Sequence, residues 1–164
     1  MDIKKKLNNY INENLNIRRH SLFKSAKMSM PLEDEECLGS SVDINNYINN
    51  NKEEDTFQTK LFKLIDERNL KDSDVYNKAY IDRRLFSKIR NDKNYHPSKE
   101  TIILLSLSLE LDESEIEDLL KSASYSLPMN TTFDLIIRFC FKEKIYDITT
   151  VNEFLYEHNC KLLN

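Results

Sequence analysis

The sequence predicts an all-α fold, and three observations favour it. Among 164 residues there are one glycine and three prolines, too few for the many turns of a β-rich protein. Leu, Ile, Lys and Glu, which suit helices, are the dominant residues of the second half of the chain. Apolar residues recur there at spacings of three and four, which is typical of a helix with one buried face.

Residues 1–55 are predicted to form a weakly structured N-terminal arm. Apolar residues at helical spacing favour a short helix over residues 3–15, although its many asparagines weaken it. A second short helix is predicted at Asp43–Asn49, and residues 49–55 form a linker. The arm is either an interaction segment that orders on a protein partner or a solvated leader, and the residues slightly favour the leader.

Residues 56–125 are predicted to form a five-helix domain. Each helix is recognised by an apolar stripe that follows a residue suited to cap a helix start. The predicted helices are 57–68, capped by Asp55 or Thr56; one after Leu70, capped by Asp72; 83–91, capped by Asp82; one capped by Ser98 with the most apolar and most buried sequence; and one opened by Asp112 or Glu113.

The domain is organised around Val75–Arg90, which is predicted to form two short helices joined by a tight turn at residues 80–82. This is the pattern of a helix-turn-helix, in which the second helix enters a groove of DNA. The chain carries a net charge of −4, but residues 57–98 contain ten Lys and Arg against six Asp and Glu. Since local charge attracts a polyanion, this excess favours a nucleic-acid partner over a plain solvated face, which is the alternative.

The candidate DNA-binding residues lie on the second of these short helices or just after it. Arg can pair with two acceptors on guanine, whereas Lys and Ser more often bind phosphate, and Asn offers neutral hydrogen bonds. The candidate residues are Arg83, Arg84, Ser87, Lys88, Arg90, Asn91 and Lys93.

About residues 57–123 resemble the five-helix Cro/CI-type (Xre-like) helix-turn-helix family. The resemblance is carried by L-x-x-L-I in the first helix, L-F-S-K-I in the third, the H-P-S-K-E-T loop, and L-x-L-D-E-S-E-I-E-D-L-L at the end. The segment is also similar to a C-terminal module of bacterial proteins, some of which carry a macrodomain. The resemblance implies a bacterial transcription regulator whose recognition helix carries the candidate residues named above.

Two features depart from the family pattern. Tyr76 and Tyr80 stand where the family usually has a small residue and a glycine, so Tyr80 is expected at a turn position with positive φ. Asp72 stands where the family often has a glutamine that contacts phosphate, and its carboxylate would repel phosphate.

Residues 126–164 are predicted to form a two-helix extension packed on the domain. The first helix spans about 131–143 after Asn130 or Thr131, and the second is capped by Thr149 or Thr150. The extension is acidic and aromatic, so it is expected to enlarge the core or to form a homodimer contact. Binding of a different protein is the alternative.

No residue set in the sequence is typical of an enzyme, a cofactor site or a metal site. The single glycine excludes a glycine-rich phosphate loop, and the cysteines form no CxxC pair. No apolar run approaches the roughly 20 residues that span a bilayer, and the first residues lack the apolar core of a secretory signal, so a cytoplasmic protein is expected. The histidines and cysteines are isolated in the sequence, at His20, His96, His158, Cys37, Cys140 and Cys160.

The sequence therefore predicts a regulator that reads duplex DNA with a basic helix. The alternative is a protein-interaction adaptor that keeps the helix-turn-helix scaffold but does not bind DNA.

Overall fold

A computed structural model describes residues 2–25 and 56–163, which form eight helices and no strand. This confirms the predicted all-α class for the described part of the chain. None of these helices has both the length and the apolarity needed to cross a membrane. The helices are α1 (Ile3–Ser25), α2 (Phe57–Glu67), α3 (Asp72–Lys78), α4 (Arg83–Asn91), α5 (Lys99–Ser108), α6 (Glu113–Ser122), α7 (Thr132–Lys142) and α8 (Ile148–Glu157).

Most helices start at a polar side chain that accepts a hydrogen bond from a backbone amide of the first turn. This bond satisfies an amide that has no partner inside the helix. For α2, α4, α5, α6 and α7 the sequence predicted one or two possible caps each, and in every case one of them is the cap in the structure. They are Thr56, Asp82, Ser98, Asp112 and Thr131.

Two predicted caps are wrong. Asp72 is the first residue of α3 rather than its cap, because Lys71 takes the extended backbone conformation before the helix. The cap of α8 is Asp147, whose carboxylate accepts hydrogen bonds from both the amide (2.8 Å) and the hydroxyl (2.7 Å) of Thr150. Thr150 therefore donates to the cap, and the helix begins earlier than predicted.

Six helices end at a residue with positive φ, and none of these residues is glycine. At each end the following amide bonds to a carbonyl five residues back, as in the Schellman motif. The residue after each left-handed position is apolar or aromatic and can fold back onto the helix. The left-handed residues are Asn69, Tyr80, Glu110, Ser124, Lys144 and Asn159.

The centre of the core is α5, as its apolar sequence predicted. Every residue from 102 to 109 is buried. Two of them are serines, and their hydroxyls donate to the carbonyls of Ile102 and Leu105, each at 2.7 Å, so burial leaves neither hydroxyl unsatisfied. Helices α3 and α6 pack on α5, α2 packs on α6, α4 packs on α3, and α7 contacts α6 and α8.

The helix predicted over residues 3–15 is present, but it is longer than predicted and spans Ile3–Ser25. Leu7 and Ile11 are buried, and α1 packs along α7. The sequence pattern underestimated this helix because its apolar face is stabilised by a surface more than 120 residues away. The helix predicted at Asp43–Asn49 and the linker over residues 49–55 lie outside the described residues.

Candidate nucleic-acid interface

The segment predicted to form two short helices and a turn does so. Helix α3 ends at Lys78, Tyr80 has φ of 53°, and α4 begins at Arg83. Ala79 and Ile81 are buried on either side of Tyr80 and anchor the turn in the core. These contacts fix the direction in which α4 leaves the turn.

Helix α4 has a buried side and an exposed side. Phe86 and Ile89 are buried. The Phe86 ring lies 6.0 Å from that of Phe62 and 5.7 Å from that of Tyr76, measured between centroids. With 3.6 residues per turn, the side of α4 opposite this packing carries Arg84, Ser87, Lys88 and Asn91, all of them exposed.

The side chains of Arg83, Arg84 and Lys93 are exposed and form no hydrogen bond, ion pair or ring contact with the described residues. Arg84 and Lys88 are four residues apart, so their side chains are neighbours on the helix surface. The ammonium of Lys88 lies 4.7 Å from the centre of the Tyr95 ring, which restrains the side chain without neutralising it. The exposed side of α4 therefore carries two adjacent cations that no described carboxylate neutralises.

Ser87 and Asn91 are bonded to each other on this same side. The side-chain nitrogen Nδ2 of Asn91 donates to the backbone carbonyl of Ser87 at 2.9 Å and to the Ser87 hydroxyl oxygen at 3.1 Å. The Asn91 side-chain oxygen and the Ser87 hydroxyl proton are not used in these bonds, so both groups can still bond outward.

Arg90 differs from the other candidate cations because its guanidinium is engaged within the protein. Its Nη2 lies 2.5 Å from Oδ1 of Asp72, and its Cζ lies 3.9 Å from the centre of the Phe62 ring. Asp72, which the sequence suggested would repel phosphate, is thus half of an ion pair between α3 and α4. This geometry makes Arg90 a bridge between helices.

Gln58 supports α4 and was not recognised in the sequence. Its Nε2 donates to the carbonyl oxygens of Ile89 at 2.8 Å and Asp92 at 2.6 Å. The bonds satisfy acceptors at the end of α4. Among the described helices α2 to α8, α4 alone is not followed by a left-handed residue. No local sequence pattern indicates this contact, because Gln58 lies 31 residues before Ile89 and 34 before Asp92.

The other candidate reactive groups form no second site in the part of the chain described. His96 lies 5.3 Å from the Tyr125 ring, and His158 bonds the Phe154 carbonyl and the Asn8 side chain. Burial raises the pKa of the Cys140 thiol to about 12, so this thiol is not a nucleophile at neutral pH. Among these residues no three His, Cys, Asp or Glu side chains converge as a metal site. His20 and Cys37 lie outside the described side chains.

Comparison with protein-family models, with curated proteins and with solved structures gave no significant match to this chain.

Proposed function

We propose that this protein is a transcription regulator that binds duplex DNA through the exposed side of α4. The observation that carries the proposal is the pair formed by Arg84 and Lys88, two neighbouring exposed cations without a carboxylate partner in the described residues. Such a pair is well hydrated in the free protein. When it binds phosphates, the counterions condensed on the DNA are released, which favours binding. The resemblance of residues 57–123 to the Xre-like family agrees with this role.

The side chains suit different parts of a DNA groove. Arg84 lies in the first turn of α4, where a recognition helix contacts base edges, and its planar guanidinium can bind guanine through two hydrogen bonds. Lys88 and Lys93 suit phosphate oxygens on the flanks of the groove. Asn91 has an exposed amide oxygen that can accept a hydrogen bond from a base.

The charge distribution makes the proposed binding salt-dependent. The whole chain is negatively charged, so attraction to DNA depends on the orientation of the basic segment. Each cation placed on a phosphate adds about 0.9 to the slope of log affinity against log salt concentration. Affinity should fall as salt rises, and it should fall less steeply when cations are removed from α4.

Fluorescence polarisation with random-sequence duplexes at two salt concentrations tests the proposal. We expect Arg84→Ala combined with Lys88→Ala to weaken binding and to lower the salt slope by about 1, since Lys88 is the phosphate contact of this pair. The matched control is Lys5→Ala combined with Lys63→Ala, which removes the same charge from exposed residues of α1 and α2. Equal affinities for the two double variants would overturn the proposal.

A protein-interaction adaptor without DNA binding is the second candidate. The ion pair between Asp72 and Arg90 favours it, because it places a carboxylate beside the basic helix where the resembling family often has a glutamine. This candidate predicts a folded wild-type protein that binds no duplex near physiological salt. The same polarisation measurement therefore decides between the two functions.

A further inference from the structure

The turn before α4 holds an exposed aromatic side chain in a strained backbone conformation. Tyr80 has φ of 53° and is 74% exposed. Its ring stacks on no other ring, meets no cation and forms no side-chain hydrogen bond among the residues described. The buried residues on either side, Ala79 and Ile81, hold the turn so that the Tyr80 side chain points outward.

Backbone hydrogen bonds and the buried Ile81 close this turn, but the ring of Tyr80 adds no contact of its own among the described residues. A left-handed conformation is unfavourable for a residue with a Cβ atom, and glycine or asparagine adopts it more readily. The other five left-handed residues are small or polar, and one of them, Glu110, forms an ion pair with Lys78. Tyr80 is the only aromatic among the six, and its ring gains no packing. A large aromatic side chain that is 74% exposed at a left-handed position is a reason to look for a function.

The neighbours of Tyr80 indicate what the ring could contact. Arg83 and Arg84 follow within four residues, and both are exposed without an ion pair in the described chain. Asp82 lies between Tyr80 and these arginines in the sequence, but its carboxylate accepts a hydrogen bond from the Arg84 backbone amide at 2.7 Å and serves as the helix cap. An exposed phenol that precedes two exposed, unpaired arginines in the same turn and helix start is complementary to a sugar–phosphate backbone, which offers anionic acceptors next to an apolar sugar face.

We propose that Tyr80 is a DNA-contact residue, whose hydroxyl donates to a backbone phosphate and whose ring packs against the adjoining deoxyribose. This inference rests on the proposed function and extends the contact surface from α4 into the preceding turn. Because a backbone contact carries no sequence information, Tyr80 strengthens binding to all duplexes alike. It also fixes the register of Arg84 on the groove.

The test compares stability and affinity in the same variants. Tyr80→Gly relieves the backbone strain, so its urea midpoint should rise, yet its affinity for random-sequence duplex should fall about fivefold, as expected for the loss of one hydrogen bond and a ring contact. Tyr80→Phe keeps the ring and loses only the hydroxyl, so its loss of affinity should be about half that of Tyr80→Gly on a logarithmic scale. The salt slope should stay unchanged for both variants, because tyrosine carries no charge at neutral pH.

Tyr156 provides the matched control. It is 75% exposed and lies on α8 and not on the basic helix or the turn before it. Tyr156→Ala should leave duplex affinity unchanged. If Tyr80→Gly binds as tightly as the wild type while Arg84→Ala with Lys88→Ala binds weakly, the Tyr80 contact is overturned and the proposed function stands. If the wild type binds no duplex, the proposed function is overturned and the Tyr80 contact with it.

Discussion

At the scale of single residues, Lys144 shows what a left-handed helix end costs. It has φ of 57° and is exposed, and its side chain has no partner in the described residues. Lys144→Gly should raise the free energy of unfolding by about 0.5–1 kcal/mol, because glycine adopts this conformation without steric conflict. The greater freedom of glycine in the unfolded chain keeps the gain small. Urea denaturation followed by circular dichroism measures it.

The control for this prediction is Lys63→Gly, which makes the same replacement in the helical interior of α2. Lys63 is exposed and has no described partner, so only the backbone conformation differs between the two sites. This variant should lose about 1 kcal/mol of stability. Destabilisation of similar size by both variants would show that the left-handed conformation at Lys144 is not strained.

Asp147, the cap of α8, makes stability depend on pH. Its hydrogen bonds from the hydroxyl and amide of Thr150 hold the pKa of this carboxyl below its ordinary value of 3.8. The stabilisation is therefore complete above pH 3.8 and is lost as pH falls through the lower pKa of the folded state. Asp147→Asn retains a capping acceptor that does not titrate, so it should lose less stability than the wild type as the pH falls below 3.8.

Urea midpoints measured across this pH range check the Asp147 prediction. Asp118→Asn is the control, since Asp118 is an exposed carboxylate that forms no hydrogen bond within the described residues. The difference from the wild type should change with pH for Asp147→Asn and stay nearly constant for Asp118→Asn. Parallel curves for all three proteins would contradict the prediction.

Residue types predicted most helix starts, but they could not choose between polar neighbours. Asp112 and Thr131 were among the candidates, and each proved to be the cap. At α8, Asp147, Thr149 and Thr150 are all capable of capping, and only the backbone conformation decides between them. The pairing of Asp72 with Arg90 depends on how α3 and α4 cross, which no local pattern contains.

At the scale of elements, α4 depends on a side chain from α2. Gln58→Ala removes the two hydrogen bonds to the carbonyls of Ile89 and Asp92 and should cost about 1–2 kcal/mol of stability. Hydrogen exchange should quicken first in the last turn of α4 and the loop after it, because these carbonyls end the helix. Urea denaturation and amide exchange together measure the effect.

Gln58→Glu separates bonding from packing at this position. It keeps the size of the side chain but offers no donor to the two carbonyls, so it should destabilise at least as much as Gln58→Ala. Lys63→Ala, also on α2, should be nearly neutral because Lys63 is exposed. Full stability of Gln58→Glu would show that the amide does not position α4.

Elements with their own strong pattern were predicted well, whereas α1, which depends on a distant partner, was predicted as a shorter and weaker helix than the structure has. The continuous apolar sequence of α5 indicated a buried helix, and its burial from residue 102 to residue 109 confirms this. Helix α1 has an asparagine-rich sequence that argues against a stable helix. Its stability comes from Leu7 and Ile11 packing against α7, which sequence spacing alone cannot show.

At the scale of the whole molecule, α1 joins the start of the chain to its last two helices. Lys4 pairs with Glu157 at 2.5 Å, Lys6 pairs with Glu143, and His158 lies 2.9 Å from the Asn8 oxygen. Exposed pairs of this kind contribute little individually, so the buried apolar side chains should dominate the contact. The candidate face of α4 is formed by other helices and should not depend on it.

Leu7→Ala tests the energy of this contact. Leu7 is 1% exposed, and its truncation should cost about 3 kcal/mol because it leaves a cavity against α7. The matched control is Ile3→Ala, since Ile3 is 37% exposed on the same helix and should cost much less. Urea denaturation followed by circular dichroism compares the two variants. Equal losses would mean that α1 is not held by its buried side chains.

The meeting of Lys4 with Glu157 also has a mechanical consequence. The pair places the first turn of α1 beside the last turn of α8, so a force applied between residues 4 and 157 pulls neighbouring points apart. In that geometry the contacts of α1 with α7 and α8 break one after another, as in unzipping, and the force acts on one contact at a time. The first extension in a single-molecule pulling experiment should therefore occur at low force and release α1 while α2 to α6 remain folded.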